Sequence, residues 1–520
     1  MCNGRKTLFY LALPVLLLVA CAVQPTPAVA QMTSVGIDCS QIQALGLLRQ
    51  ENLGAGKVLI ECGIAQGGNP GVAAKFPPMP PNIQVSNRSC SSASSCTKSE
   101  NMVYANTSNP MNIVVNYNDH NANQYSGTSF SNDGGATFTE ILPPPFGTAH
   151  GLNLGDPIVV YNSKLGKFFA GDLVTSCGGQ GIGLWTSTDG QTWTTGACAH
   201  NGGSDDRESM WVDNEPTSGT YGRMYISWND FLVGVGALSI THSDDGVTWT
   251  SPVRVANGST FIRDVQVTGS PAGASRYEGA NSTVFIAGMD EGGGGCATRQ
   301  NLMYKSLDGG TTWTSATLGP RFKPICDGLC SSNSYFAQVN PIIRHMGWGE
   351  PGVGPNGVVH YVYAGLGTNT DPGDIFYVKS IDNGVTWTTP RKINGTQDAQ
   401  FKTQWMPSLS ADAAGGVTVS WYDRRKATTQ CKTTSDPGCS YERVLRQSQD
   451  NGSTFGPVKT VSGLIPQPTQ NDTGVVNCYA GDYDYDTTQS GSAFITWTDG
   501  TRTVGGVHVQ DVDFAKVPIP

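Results

Sequence analysis

Six segments of this 520-residue chain repeat one short pattern. A chain built from many copies of a small unit can bury its apolar faces only by stacking the copies against one another. Four copies read Ser-x-Asp-x-Gly-x-Thr-aromatic, from Ser131 to Phe138, Ser306 to Trp313, Ser380 to Trp387 and Ser448 to Phe455. Two shorter ones, Ser187 to Trp193 and Ser243 to Trp249, lack one residue of the loop. The six begin 56, 56, 63, 74 and 68 residues apart, room for about four short strands per unit. In such a turn an aspartate accepts backbone N–H groups, glycine supplies the positive φ, and the aromatic residue lies between neighbouring sheets. The six aspartates are therefore expected to hold turns and not to do chemistry.

Ahead of these turns a second strand recurs, with an aromatic or small residue near its end and then Asp: Val115 to Asp119, Phe169 to Asp172, Ile226 to Asp230, Ile286 to Asp290 and Val419 to Asp423. Tyr361 to Gly365 is a degenerate copy, and Ile495 to Asp499 is a seventh with no turn after it. Each unit also opens with a strand, expected at 102–106, 157–161, 209–212, 265–268, 336–339, 407–410 and 483–485. Four strands in each of seven units predict an all-β, seven-bladed β-propeller, with six blades as the alternative. The last unit lacks an outer strand, and Asn82 to Ser86 has the pattern to supply it, which would join the two ends of the chain and remove open edges. Charged residues make up only 14% of the chain against about 25% in ordinary domains, and Gly numbers 65, the balance of a turn-rich β protein.

The repeated turn resembles the Asp-box of BNR-repeat propellers, the sialidase-like superfamily. That resemblance implies a ligand site at the mouth of a central channel, on the face opposite the turns. Residues at the start of the innermost strands would face it: Glu100, Asp156, Asp205, Asp206, Arg207, Glu208, Arg263, Asp264, Gln338, Gln404, Trp405, Asp482 and Tyr483. Those ending the second strands join them, including Asp119, Asp423, Arg424, Arg425, Asp499 and Arg502. Sialidases clamp a substrate carboxylate with three arginines, one in an Arg-Ile-Pro motif, and use a Tyr–Glu nucleophile with an Asp acid/base. Here Ser99-Glu100-Asn101-Met102 stands where that motif would be, so the first arginine is missing. The catalytic candidates are Glu208, Tyr483, Asp482 and Asp264, with Glu208 as base to Tyr483. The substrate-binding candidates are Arg207, Arg263, Arg424, Arg425, Trp405, Asp423 and Arg502, because a guanidinium pairs bidentately with a carboxylate and an indole stacks on a sugar ring. The expected function is an exported propeller that binds acidic glycans or glycoconjugates at its mouth, where paired carboxylates would support hydrolysis. The alternatives are a non-catalytic surface scaffold or adhesin for a protein or glycan partner, and a polysaccharide lyase.

A net charge of −9 argues against nucleic acid as a partner. Arg5 and Lys6 precede an apolar run from Thr7 to Ala20, the form of an export signal. Leu18-Val19-Ala20-Cys21 offers a lipobox, making a lipid anchor at Cys21 the one membrane contact expected; Ala28-Val29-Ala30 offers a rival cleavage site. The expected division is a signal at 1–30, an appendage and Pro/Gly-rich linker at 31–81, and the propeller at 82–520. Within the appendage Ser40 to Glu51 reads as one amphipathic helix, with no chemistry visible. Twelve cysteines beyond Cys2 and Cys21 favour disulfides, pairing Cys39 with Cys62, Cys90 with Cys96, Cys177 with Cys198 and Cys431 with Cys439. Cys296, Cys326, Cys330 and Cys478 stay unassigned. No metal site is expected at Cys326-x3-Cys330, and calcium on Asp482, Asp484 and Asp486 is the only cofactor left open.

Overall fold

The computed structural model describes residues 31–69, 82–86, 90, 92–120, 125–141, 148–256, 260–275, 277, 279–330, 334–340, 343–367, 372–395, 402–429, 431, 437–466 and 470–519. The export signal, both cleavage sites and the linker from 70 to 81 lie outside the described residues. Strands account for nearly all the regular structure. The first sheet runs Lys98–Asn106, Asn109–Asp119, Ser126–Ser131 and Thr139–Glu140 in that spatial order, each strand antiparallel to the next. Five more sheets repeat this meander in chain order, and their second strands are buried along nearly their whole length because a sheet lies on either side. A seventh such sheet has the order Thr487–Gln489, Ser492–Asp499, Asp511–Pro518, Ile83–Gln84. Its outer strand comes from the start of the chain, with Ile83 opposite Phe514, so the segment 82–86 supplies the edge that the last unit lacks.

The innermost strands are β1 (Lys98–Asn106), β2 (Asn153–Asn162), β3 (Asp205–Val212), β4 (Val267–Gly269, preceded by Ile262–Arg263), β5 (Glu350–Val353), β6 (Gln404–Ala411) and β7 (Thr487–Gln489). Each touches the next, and β7 touches β1. Together they enclose a cavity of about 470 Å³, lined by a residue from every one of them, among them Tyr104, Val160, Val212, Val267, Gly352 and Leu409. The first and third strands of a meander run the same way. The repeated turns that follow each third strand therefore lie at the C-terminal ends of the innermost strands, and the candidate residues lie at the opposite, N-terminal ends.

The turns are built as their residues imply. Asp382 accepts the Thr386 N–H at 2.8 Å and its hydroxyl at 2.5 Å, while Ser380 Oγ donates to Asp382 at 2.7 Å and accepts the Gly384 N–H at 2.8 Å. Asp133, Asp308 and Asp450 repeat these bonds, and Asp189 and Asp245 accept the corresponding backbone N–H groups in the shorter turns.

Two elements differ from expectation. The fifth innermost strand is Glu350–Val353, not 336–339; Ala337–Val339 belongs to a separate three-stranded sheet with Gly328–Leu329 and Ile343–Arg344. Gly349 passes so close to the Val362 carbonyl that no side chain fits there, which lets the chain enter the sheet at 350. In the appendage, 40–51 is not one helix. Short 3-10 turns occupy Cys39–Gln41 and Leu47–Arg49, and the helix, α1, is Leu53–Glu61. Gly46 at φ 67° interrupts the first pattern, and Asn52 caps α1 by accepting the Ala55 N–H at 2.7 Å. All four expected disulfides are present, together with Cys296–Cys326 and Cys330–Cys478. Six such bridges fit an oxidising, extracytoplasmic setting, and no described helix is long and apolar enough to cross a membrane.

Candidate ligand site at the channel mouth

The site is made by a repeated irregularity. Near the start of β1, β2, β3 and β6 the pairing slips, and a non-glycine residue at the slip takes a left-handed backbone: Glu100 (φ 49°), Asp156 (φ 63°), Arg207 (φ 59°) and Met406 (φ 49°). Asp264 (φ 62°) does the same between Ile262–Arg263 and β4. Each costs of order 1–3 kcal/mol, and such bulges re-aim side chains at the rims of sheets. Four of the five bulge residues are ionisable, and they meet at one end of the channel.

At the centre lie three guanidinium groups, all buried. Arg207 Nη2 reaches Asp264 at 3.4 Å, and the plane of Arg207 lies over Tyr483 and Trp348, 4.2 and 4.8 Å from their ring centres. Arg263 Nη1 donates to Asp206 at 2.6 Å. Arg344 grips Asp482 through Nε and Nη2. The fourth member comes from outside the sheets. Glu51, in the turn before α1, places Oε1 3.1 Å from Arg207 Nε and 3.4 Å from Arg263 Nη2, and Arg344 Nη2 donates to its carbonyl at 2.6 Å. Glu51 N–H and the Asn52 amide both donate to Asp206, at 3.1 and 2.6 Å. Gln50 joins Ser204 and Gln180, each at 2.7 Å. The appendage, expected to carry no chemistry, thus supplies an ionisable group at the centre of the site.

Burial dominates the electrostatics. It pushes Glu100, Asp156 and Glu208 well above the ordinary carboxylate range, reinforced by Asp482 acting on Glu100, by Asp206 on Asp156, and by Asp156 on Glu208. Glu51 is raised to about 8, again by burial, against the pull of Arg207 and Arg263. Asp264 is raised by burial and held back by Arg207, Gly349 N–H and the Tyr361 hydroxyl, which donates to it at 2.9 Å. Burial would lower Arg207 and Arg263, but Glu51 carries both above the usual value, helped by Asp264 and by Asp206 respectively. A cluster of neutral carboxyl groups beside fixed cations can donate protons and bind anions at the same place.

Of the candidates from sequence, the structure brings together Arg207, Arg263, Asp264, Asp482 and Tyr483. Glu208 is buried among Asp156, Asp172 and Asp206, and both its carboxyl oxygens are without a hydrogen-bond partner, so the expected Tyr483–Glu208 pair is not formed. Tyr483 stacks on Tyr485 at 4.6 Å, and the carboxyl groups acting most strongly on it are Asp156 and Glu100. The others form separate groups. Trp405 is buried, stacked on Tyr422 and lying under Arg424, so it is core and offers no face to a sugar. Asp423 accepts from Gln404 and from the Arg425 N–H, and Arg425 pairs with Glu442. Arg502 pairs with Asp511 beside the Cys90–Cys96 bridge. Asp482, Asp484 and Asp486 bond to different groups: Arg344, then Asn101 and Tyr422, then Ser420 and Arg443. Sequence reasoning missed Arg344, which sits in the extra sheet before β5, and Glu51; a Gln-Glu-Asn triplet just ahead of a capped helix was the only available sign.

No family model and no curated protein matches the chain. Among solved structures it is similar to an α-L-arabinofuranosidase, Arb93A, from Fusarium graminearum, at 13% identity over 69% of this chain and 92% of that one, with a TM-score of 0.39. It is also similar to the NanB sialidase from Streptococcus pneumoniae, at 10% identity over 84% of this chain and 71% of that one, TM-score 0.37. The intramolecular trans-sialidase of leech matches at 12% identity over 82% and 69%, TM-score 0.37.

Proposed function

We propose that the seven sheets are the blades of a propeller and that its mouth, opposite the repeated turns, binds an acidic glycan and hydrolyses it, in an exported protein. The observation that carries this reading is the convergence of Arg207, Arg263 and Arg344 with carboxyl groups whose burial favours the neutral form, in one buried cluster. The guanidinium groups take the sugar carboxylate, and Asp206, which accepts two N–H donors, takes sugar hydroxyls. Glu208, neutral because it is buried, donates its proton to the leaving glycosidic oxygen. Water adds to the anomeric carbon and gives its proton to an ionised carboxylate, for which Asp206, paired with Arg263 and neighbouring Glu208, is the group in place.

The test is hydrolysis of a fluorogenic sialoside and a panel of uronate-containing oligosaccharides by the purified protein, with binding followed by calorimetry. Arg263→Ala is expected to weaken binding at least tenfold, and Glu208→Gln to lower turnover by about 10²–10⁴ while leaving Kd near the wild-type value. Binding without turnover on any substrate would make the mouth a recognition site of a surface scaffold. An ultraviolet-absorbing unsaturated product would make the protein a lyase.

A further inference from the structure

The mouth is not open. Residues 45–53 cross it, α1 seats Leu53, Val58 and Leu59 in one apolar cluster with Val475, Val476 and Tyr479, and the three arginines beneath are buried. Yet the group at the centre is poorly held. Glu51 faces Arg207 and Arg263 at ion-pair distance, but neither of its carboxylate oxygens takes a directed hydrogen bond. Nε and Nη1 of Arg207, and Nε and Nη2 of Arg263, are likewise buried without hydrogen-bond partners. A carboxylate lying in the plane of a guanidinium would engage two N–H groups of it at once. The cluster therefore has more donor capacity than Glu51 uses, and burial, which holds the Glu51 carboxyl up to about 8, leaves it only partly ionised at neutral pH. Its neighbours complete the pattern. The Glu51 N–H and the Asn52 amide donate to Asp206 as two sugar hydroxyls would, so Glu51-Asn52 presents one carboxylate and two donors, the polar features of a uronate or sialate ring.

We propose that residues 31–69 are an autoinhibitory plug, with Glu51 as the internal occupant of the carboxylate site, and that an acidic saccharide binds by displacing it from Arg207 and Arg263. This rests on reading the mouth as an acidic-glycan site, and it adds how that site is closed and what opens it. Displacement replaces a buried, only partly ionised carboxyl group by a fully ionised sugar carboxylate on the same two arginines, so no buried cation loses compensation in the exchange. A neutral saccharide of the same size offers no such exchange and leaves the plug seated.

The experiment measures galacturonate and sialate affinity by calorimetry in the full chain, in Glu51→Gln, which keeps the shape, and in Glu51→Ala. Hydrogen exchange is followed over residues 53–61. Both variants are expected to bind at least tenfold tighter than the wild type, and saturating ligand is expected to speed exchange in α1 of the wild type. Equal affinity in wild type and variants, or full protection of α1 at saturation, would overturn the plug while leaving the glycan reading intact. If no acidic saccharide binds any form, acetate decides. A rise in the melting temperature of Glu51→Ala with acetate, absent in the wild type, keeps the internally occupied carboxylate site and removes the glycan; no rise removes both.

Discussion

Two populations of carboxyl groups, distinguished by where the fold puts them, set how this protein responds to pH. The turn aspartates Asp133, Asp245, Asp308 and Asp382 are lowered to about 2: at Asp308 and Asp382 burial is the largest single influence and acts upward, but the bonds from the threonine and serine of the turn together outweigh it, and at Asp133 and Asp245 the threonine bonds lead. Their stabilisation is present above the unfolded value near 4 and is lost as pH falls toward 2. Glu51, Glu100, Asp156 and Glu208 are raised by burial, so their contribution is complete below about pH 4 and declines as pH rises through their folded values, for Glu51 about 8. The two windows overlap between about pH 4 and 5, where stability should peak. Calorimetry should show a higher melting temperature at pH 5 than at pH 8; a steady rise up to pH 8 would contradict these assignments. At a single turn, Asp382→Ala removes acceptors for one backbone N–H and two hydroxyls and should cost about 1–2 kcal/mol, read from denaturant midpoints.

At the scale of elements, the bulges and the appendage decide what the mouth is. The bulge residues Glu100, Asp156, Arg207 and Asp264 are ionisable and hold left-handed backbone without being glycine, so strain and titratable groups coincide at one end of the channel. The helix that covers this end depends on Asn52, which caps α1 and also bonds Asp206. Asn52→Ala should cost about 1–2 kcal/mol and raise hydrogen exchange in 53–61 more than elsewhere. The extra sheet carrying Arg344 is tied to the last sheet by Cys330–Cys478, which spans 148 residues. Replacing both cysteines by serine should lower stability by about 2–5 kcal/mol, and because the Arg344 N–H bonds the Cys478 carbonyl, it should also loosen the grip of Arg344 on Asp482.

At the scale of the whole molecule, the ends of the chain hold the ring together. Phe514, opposite Ile83, packs with Phe138 of the first sheet and Phe494 of the last, so Phe514→Ala should cost about 3–5 kcal/mol in one cooperative transition that global denaturant unfolding would record. Much of this architecture was legible in the chain itself. The turn motif fixes a local geometry through bonds within eight residues, so its copies mark the sheets wherever they occur. The strand-like pattern of Asn82 to Ser86, set against a last unit without an outer strand, marked it as a strand seeking a partner. Local cysteine spacings likewise predicted four bridges. What sequence could not supply was anything that depends on residues distant in the chain meeting in space. Gly349 moved the fifth innermost strand beyond its expected place, Gly46 and Asn52 moved the helix, and Trp405 and Arg424 turned out to pack on each other. The pairing of Glu51 with Arg207 and Arg263 joins positions more than 150 residues apart. Short-range hydrogen bonding and patterning are written in consecutive residues, and these determined the strands, the turns and the ring. The charge cluster is a property of three-dimensional convergence and burial, and only the tertiary structure decided it.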